Sequence, residues 1–176
     1  MTTNTLTPEL FSVDLNSGTL ASLADLTGQL QFLGRPFLFF DAIENRLVFS
    51  GFLPNDSFGG PNGFNLLALS LSDLSIETIV EASAGISFNG ATALFDEQGD
   101  LSSVVSLSNR EGILLDVVDV STGLVSNAGS IDGLGPELMG LTGLTAGPPG
   151  QLYAVSSLGF IFQIDMQTGA RVIISR

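Results

Sequence analysis

The sequence predicts an all-β, propeller-like array of antiparallel four-stranded blades, and three observations predict it. Two kinds of β-hairpin alternate along the 176 residues. Each kind recurs at a spacing near 50 residues. The composition, 44% apolar and 13% charged with 21 glycines and 7 prolines, belongs to a folded chain rich in turns. A length of 176 residues suits one domain that buries an apolar core without disulfides.

The first hairpin is Leu10-Phe-Ser-Val-Asp14-Leu-Asn-Ser-Gly18-Thr-Leu, two β-prone runs around a short turn. An Asp at the start of such a turn accepts hydrogen bonds from its own downstream backbone, and a Gly at the end supplies positive φ. The pattern returns at Leu115–Val125 around Asp119 and Gly123, and at Gly159–Ile174 around Asp165 and Gly169. A degenerate copy at Leu66–Ile76 has Ser70 in place of Asp and Leu74 in place of Gly, which leaves its turn geometry the least defined. These are the outer hairpins. Between them lie inner hairpins: Leu38–Phe49 around Asp41, Ala93–Val105 around Asp96 and Gly99, and Gly143–Val155 around a Gly-Pro-Pro-Gly turn.

Inner anchors step 41, 96, 146 and outer anchors step 14, 70, 119, 165, so two independent series keep one period. Four strands per period of about 50 residues is the mark of a blade array, in which each unit buries its faces only against its neighbours. The repeats run 9–53, 64–107, 112–157 and 159–176 within a single all-β domain. Seven hairpins make three blades and leave an orphan at residues 9–24. That orphan caps the array, pairs with a second chain, or belongs to a blade completed upstream in a longer relative. A β-trefoil is the alternative with a similar period.

The motif Phe-Asp-x-x-Gly-x-Leu over Phe95–Leu101, and Gln-Leu-Tyr-Ala-Val followed by Phe-Gln-Ile-Asp-x-x-Thr-Gly over Gln151–Gly169, resemble the blades of bacterial propellers with degenerate Leu-Tyr and Asp-x-x-Thr-Gly repeats. The resemblance implies a fold and no activity, because its motifs specify turns. The chain has no Trp, so Trp-Asp and Asp-box signatures are absent.

Net charge is −13, with five arginines, no lysine and no histidine. Nucleic-acid and anionic-membrane binding rest on clustered Lys and Arg, and here the arginines are scattered, so both partners are set aside. Without cysteine there is no disulfide, thiolate metal site or cysteine nucleophile. The start MTTNTLTPELFSVDL lacks the charged and apolar regions of a Sec-type signal, and no run reaches the roughly 18 apolar residues of a spanning helix. The expectation is a soluble protein, cytoplasmic or exported without a cleaved signal.

In an antiparallel meander the hairpin turns share one end of the strands and the longer connections share the other. Binding residues concentrate on such connections. The most distinctive one spans Gly51–Phe64, where Asn55, Asp56, Phe58, Asn62 and Phe64 combine aromatic area with amide and carboxylate groups suited to a neutral, sugar-like ligand. Arg110, Asp132 and Glu137 stand on other connections. The same residues also serve as turn caps and core aromatics, the commoner role for these residue types. A weak calcium pattern, Asp14, Asn16 and Asp25, departs from an EF-type loop in glycine position and last ligand, so no metal and no cofactor is expected.

Without His or Lys there is no ordinary Ser-His-Asp arrangement, lysine base or Schiff base. Three functions follow in order: a non-enzymatic binding or structural module that presents its loop face to a carbohydrate or protein; a carboxylate-dependent carbohydrate hydrolase or lyase, drawing on Asp56, Asp132 or Glu137; and a self-assembling component that forms a homo-oligomer through residues 9–24.

Overall fold

The computed structural model describes residues 8–54, 56, 64–81, 86, 88–107, 115–129 and 141–175. Fourteen strands appear among them and no helix. Strands β1 (Glu9–Val13) and β2 (Leu20–Asp25) form a two-stranded hairpin. Strands β3 (Phe32–Asp41), β4 (Arg46–Phe52), β5 (Asn65–Ser70) and β6 (Ile76–Val80) form blade 1. Strands β7 (Asn89–Phe95), β8 (Leu101–Leu107), β9 (Leu115–Asp119) and β10 (Val125–Ala128) form blade 2. Strands β11 (Leu141–Ala146), β12 (Gln151–Ser156), β13 (Ile161–Asp165) and β14 (Arg171–Ser175) form blade 3. All strand pairing within these sheets is antiparallel and sequential. Three four-stranded sheets in series are a blade array, and this decides against the trefoil. Among the described residues the sheets do not close into a ring. A tandem repeat has no privileged starting residue, and hydrogen bonding joins each inner hairpin to the outer hairpin that follows it.

The outer turns show why the motif recurs. The Oδ1 of Asp14 accepts the backbone N–H of Asn16 and Ser17 at 2.8 and 3.0 Å, and that of Asp119 accepts Ser121 and Thr122 at 3.0 and 2.9 Å. The N–H of each closing residue then donates to the anchor carbonyl, from Gly18, Gly123 and Gly169 to Asp14, Asp119 and Asp165 at 2.7, 2.9 and 2.8 Å. The degenerate turn keeps this geometry: Leu74 N–H donates to the Ser70 carbonyl at 3.0 Å, with Leu74 itself at φ +60. Positive φ costs leucine about 1–2 kcal/mol. Packing of Leu74 on the apolar cluster beneath β1 and β2 offsets that cost.

The hydroxyl and N–H of Thr168 hold the Asp165 carboxyl below its ordinary value of 3.8, and the Ser121 hydroxyl with the Thr122 N–H does the same for Asp119. A carboxylate with a lowered folded-state pKa adds stability that is complete above its unfolded value and disappears as pH falls through the folded value. The expected result is a melting temperature in which wild type exceeds Asp165→Asn at pH 7, with the gap closing as pH drops below 3.8.

Counting back from the anchors 14, 70, 119 and 165 assigns the two faces of every outer hairpin. The residue four before the anchor, Leu10, Leu66 or Leu115 in the first three outer hairpins, points toward the next blade in sequence, the back. The residues three and one before it point to the front. Leu67 and Leu69 are covered by the N-terminal hairpin, Val118 by blade 1, and Phe162 and Ile164 by blade 2. Asp116 is the one polar member of these covered front positions, and it is fully buried. Three apolar clusters lie accordingly between successive layers. One joins the hairpin to blade 1 through Leu26, Leu30 and Phe49; one joins blades 1 and 2 through Val48, Phe88 and Val104; one joins blades 2 and 3 through Val105, Leu152 and Phe162. A hydrogen bond from the Ala146 N–H to Thr92 Oγ1 at 3.2 Å links β7 to β11.

Candidate functional site

A polar cleft opens between blades 1 and 2, on the side of the hairpin turns. It encloses about 440 Å³ and is lined by Glu44, Arg46, Glu77 and Thr78 from blade 1 and by Ser121, Thr122 and Gly123 from blade 2. Register places these residues. The Asp41–Arg46 turn ends β3 and begins β4, and β4 to β6 are consecutive strands, so Arg46 stands beside Ser70 and Glu77 beside Ala68.

Arg46 organises the cleft. Its Nε donates to Asp41 Oδ2 at 3.0 Å and its Nη1 to Glu77 Oε1 at 3.1 Å. The Asp41 side chain is fully withdrawn from water, while Glu77 is 66% exposed. Asp41 also accepts the Glu44 N–H at 3.3 Å. A planar guanidinium matches two carboxylates in a fixed geometry, so the cleft floor is rigid before any ligand arrives. With Asp41, Glu44 and Glu77 around one arginine, the local charge is negative and opposes anionic ligands. Hydroxyls of Thr78, Ser121 and Thr122 supply the neutral polar groups. Two of these are committed to the turn, because Ser121 and Thr122 hydroxyls donate to Asp119 Oδ1 at 2.7 and 2.9 Å.

The connection residues singled out in the sequence fall differently. Asp56 Oδ2 accepts the Leu53 N–H at 2.5 Å and the Asn65 Nδ2 at 2.6 Å, and Asn65 is buried. Phe64 packs on Phe52 with ring centroids 4.7 Å apart and joins the cluster between blades 1 and 2. Asn55, Phe58, Asn62, Arg110, Asp132 and Glu137 lie outside the described residues. The Asp14 carboxylate is taken up by the N–H groups of Asn16 and Ser17, and that of Asp25 by Thr27 at 2.8 Å. Among the described residues no group of three or more acidic side chains is placed to hold a metal ion. Also among them, no helix is long and apolar enough to cross a membrane.

Sequence reasoning passed over Arg46 and Glu77. The one signal within reach was an Asp and an Arg bounding a single turn, Asp41 to Arg46, in a chain with only five arginines.

No protein-family model and no curated protein matches the sequence. Among solved structures, the chain is similar to the crystal structure of a structural-genomics protein of unknown function from Bacteroides thetaiotaomicron. The TM-score is 0.52 and the identity 13%, over 82% of this chain and 32% of that one. At that identity the likeness is one of all-β fold. The chain spans about a third of the length of that protein.

Proposed function

We propose that this protein is a non-enzymatic binding module, a rigid blade array that presents polar surface to a partner, with a neutral carbohydrate as the ligand class for the cleft between blades 1 and 2. The observation that supports it is the Arg46 arrangement: a cation already satisfied by Asp41 and Glu77, inside a polar cleft whose net charge turns anions away. Hydroxyl-rich ligands recognise such sites through hydrogen bonds to fixed carboxylates and hydroxyls without bringing charge of their own.

Titration of the labelled protein with neutral oligosaccharides tests it. Saturable chemical-shift changes at Thr78 and Ser121 are expected, lost in Thr78→Val and Glu77→Ala. Both variants should keep stability within about 0.5 kcal/mol, since they alter exposed positions. Binding that ignores those changes but disappears in Phe58→Ala would move the site to the Gly51–Phe64 connection. Turnover of a glycoside, abolished in Asp132→Asn or Glu137→Gln, would replace the binding reading with the hydrolase or lyase.

A further inference from the structure

The inner hairpin of blade 2 reaches farther toward the turn face than that of blade 1. Pairing with the outer hairpins sets a common level, because Arg46 lies beside the anchor Ser70 and Ser103 beside the anchor Asp119. At that level the pairing of blade 1 ends: Asp41 pairs with Arg46, and residues 42–45 turn the chain. The corresponding pair in blade 2 is Leu94 with Ser103, and β7 and β8 continue past it, through a register shift, to pair Phe95 with Leu101. A strand advances about 3.3 Å per residue, so this extra pair stands roughly 3–7 Å beyond the last pair of blade 1.

The extra pair faces blade 1. Leu101 belongs to the apolar cluster between blades 1 and 2 and is 4% exposed. Residues directly opposite in an antiparallel pair share a face, so Phe95 is on that side as well. Two residues earlier Ala93 is covered by blade 1 and is 6% exposed, whereas Phe95 has outrun that cover and is 50% exposed. Val120 continues the row. Its N–H donates to the Ser102 carbonyl at 3.1 Å, its side chain is buried in the same cluster, and it lines the polar cleft. Phe95, Leu101 and Val120 form an apolar row across blade 2 that starts at an open aromatic ring and ends inside the cleft, whose other wall carries Glu44, Arg46 and Thr78.

We propose, resting on the carbohydrate reading of this cleft, that Phe95 is its stacking platform and that the ligand is a pyranose bound by its C–H face. A glucose-type chair carries its hydroxyls around the edge and directs axial C–H bonds from both faces. Those C–H groups are slightly positive and suit the negative face of an aromatic ring. The edge hydroxyls suit the Glu44 carboxylate and the Thr78 hydroxyl. Both kinds of group are present, a flat apolar ring on blade 2 and hydrogen-bonding groups on blade 1. An acyclic polyol has the hydroxyls without the face, so the row selects ring sugars over polyols.

The test titrates the full chain with a β-linked glucose oligosaccharide, cellotetraose, and separately with sorbitol. Saturable binding of cellotetraose is expected, with its C–H protons moved upfield by the Phe95 ring, and no saturable binding of sorbitol at the same concentrations. Phe95→Ala should weaken cellotetraose about tenfold and remove the upfield shifts, and Phe95→Tyr should restore both. Melting curves separate lost stacking from lost structure, and the upfield shifts are read on the wild-type chain without any variant. Saturable binding without those shifts, affinity lost in Thr78→Val but indifferent to Phe95→Ala, or sorbitol held as tightly as cellotetraose would each overturn the platform and leave the cleft reading standing. Absence of saturable binding by any neutral sugar would overturn both.

Discussion

Replacing Arg46 with alanine is expected to lower stability by about 3 kcal/mol, because it leaves the fully buried Asp41 carboxylate without its cation. The estimate sits at the lower end for a broken buried pair, since Arg46 itself is 18% exposed and the Glu44 N–H still reaches Asp41. For a chain of this length the melting temperature should fall by roughly 6–12 °C. Glu77→Ala breaks the other arm of the same guanidinium and should cost no more than about 0.5 kcal/mol, because that partner is exposed and screened by water. The double variant Asp41→Asn/Arg46→Met should lose less than the sum of its parts, as removing both charges also removes the desolvation of each. Equal losses for Arg46→Ala and Glu77→Ala in urea titrations would show that Asp41 draws its compensation from elsewhere.

Gly123→Ala is expected to cost about 3 kcal/mol, and Gly18→Ala, at the same place in another outer turn, about 1 kcal/mol. The two glycines share their backbone conformation, φ +68 and +69, so any side chain meets the same local penalty. They differ in what lies beyond. A Cβ on Gly123 would sit 2.5 Å from the Ile79 carbonyl oxygen, whereas one on Gly18 meets nothing within 4 Å. Backbone cannot swing aside as a side-chain tip does, so the turn of blade 2 must withdraw from β6 and open the cleft that Thr78 and Ser121 line. Denaturant midpoints of the two variants check the difference. Equal effects would mean that conformation alone selects glycine at this turn.

The contrast between those glycines shows what part of the fold was legible. Short turns flanked by β-prone runs encode a hairpin through contacts no more than five residues apart, with Asp and Gly at fixed offsets in four of the seven and the period near 50 residues locating the rest, including the degenerate one around Ser70. Leu74 occupies positive φ there against its own preference, and the reason, packing on the cluster of Leu26, Leu30 and Phe49, is long-range. The cleft was illegible for the same reason. Glu77 and Thr122 are 45 residues apart in sequence and meet only because the turn of blade 2 leans on β6. Asp56 and Phe64 read from the sequence as ligand contacts or, the commoner role, as supports, and what each touches, Leu53 and Asn65 for one and Phe52 for the other, is a tertiary matter.

By itself the sequence determined the hairpins, their alternation, the period and the count of three blades with an orphan, since turn chemistry and strand alternation are local and repeat. It also determined the acidity and the lack of histidine, lysine and cysteine, which remove whole classes of chemistry before any folding is considered. Only the tertiary structure decided which apolar faces are covered and which are left bare. Leu69 and Val13 stand at the same place in their hairpins, yet Leu69 is buried and Val13 is 54% exposed. Nothing in either residue foretells this, because burial depends on whether another layer lies against the face, and the stacking of layers is a property of the assembled array.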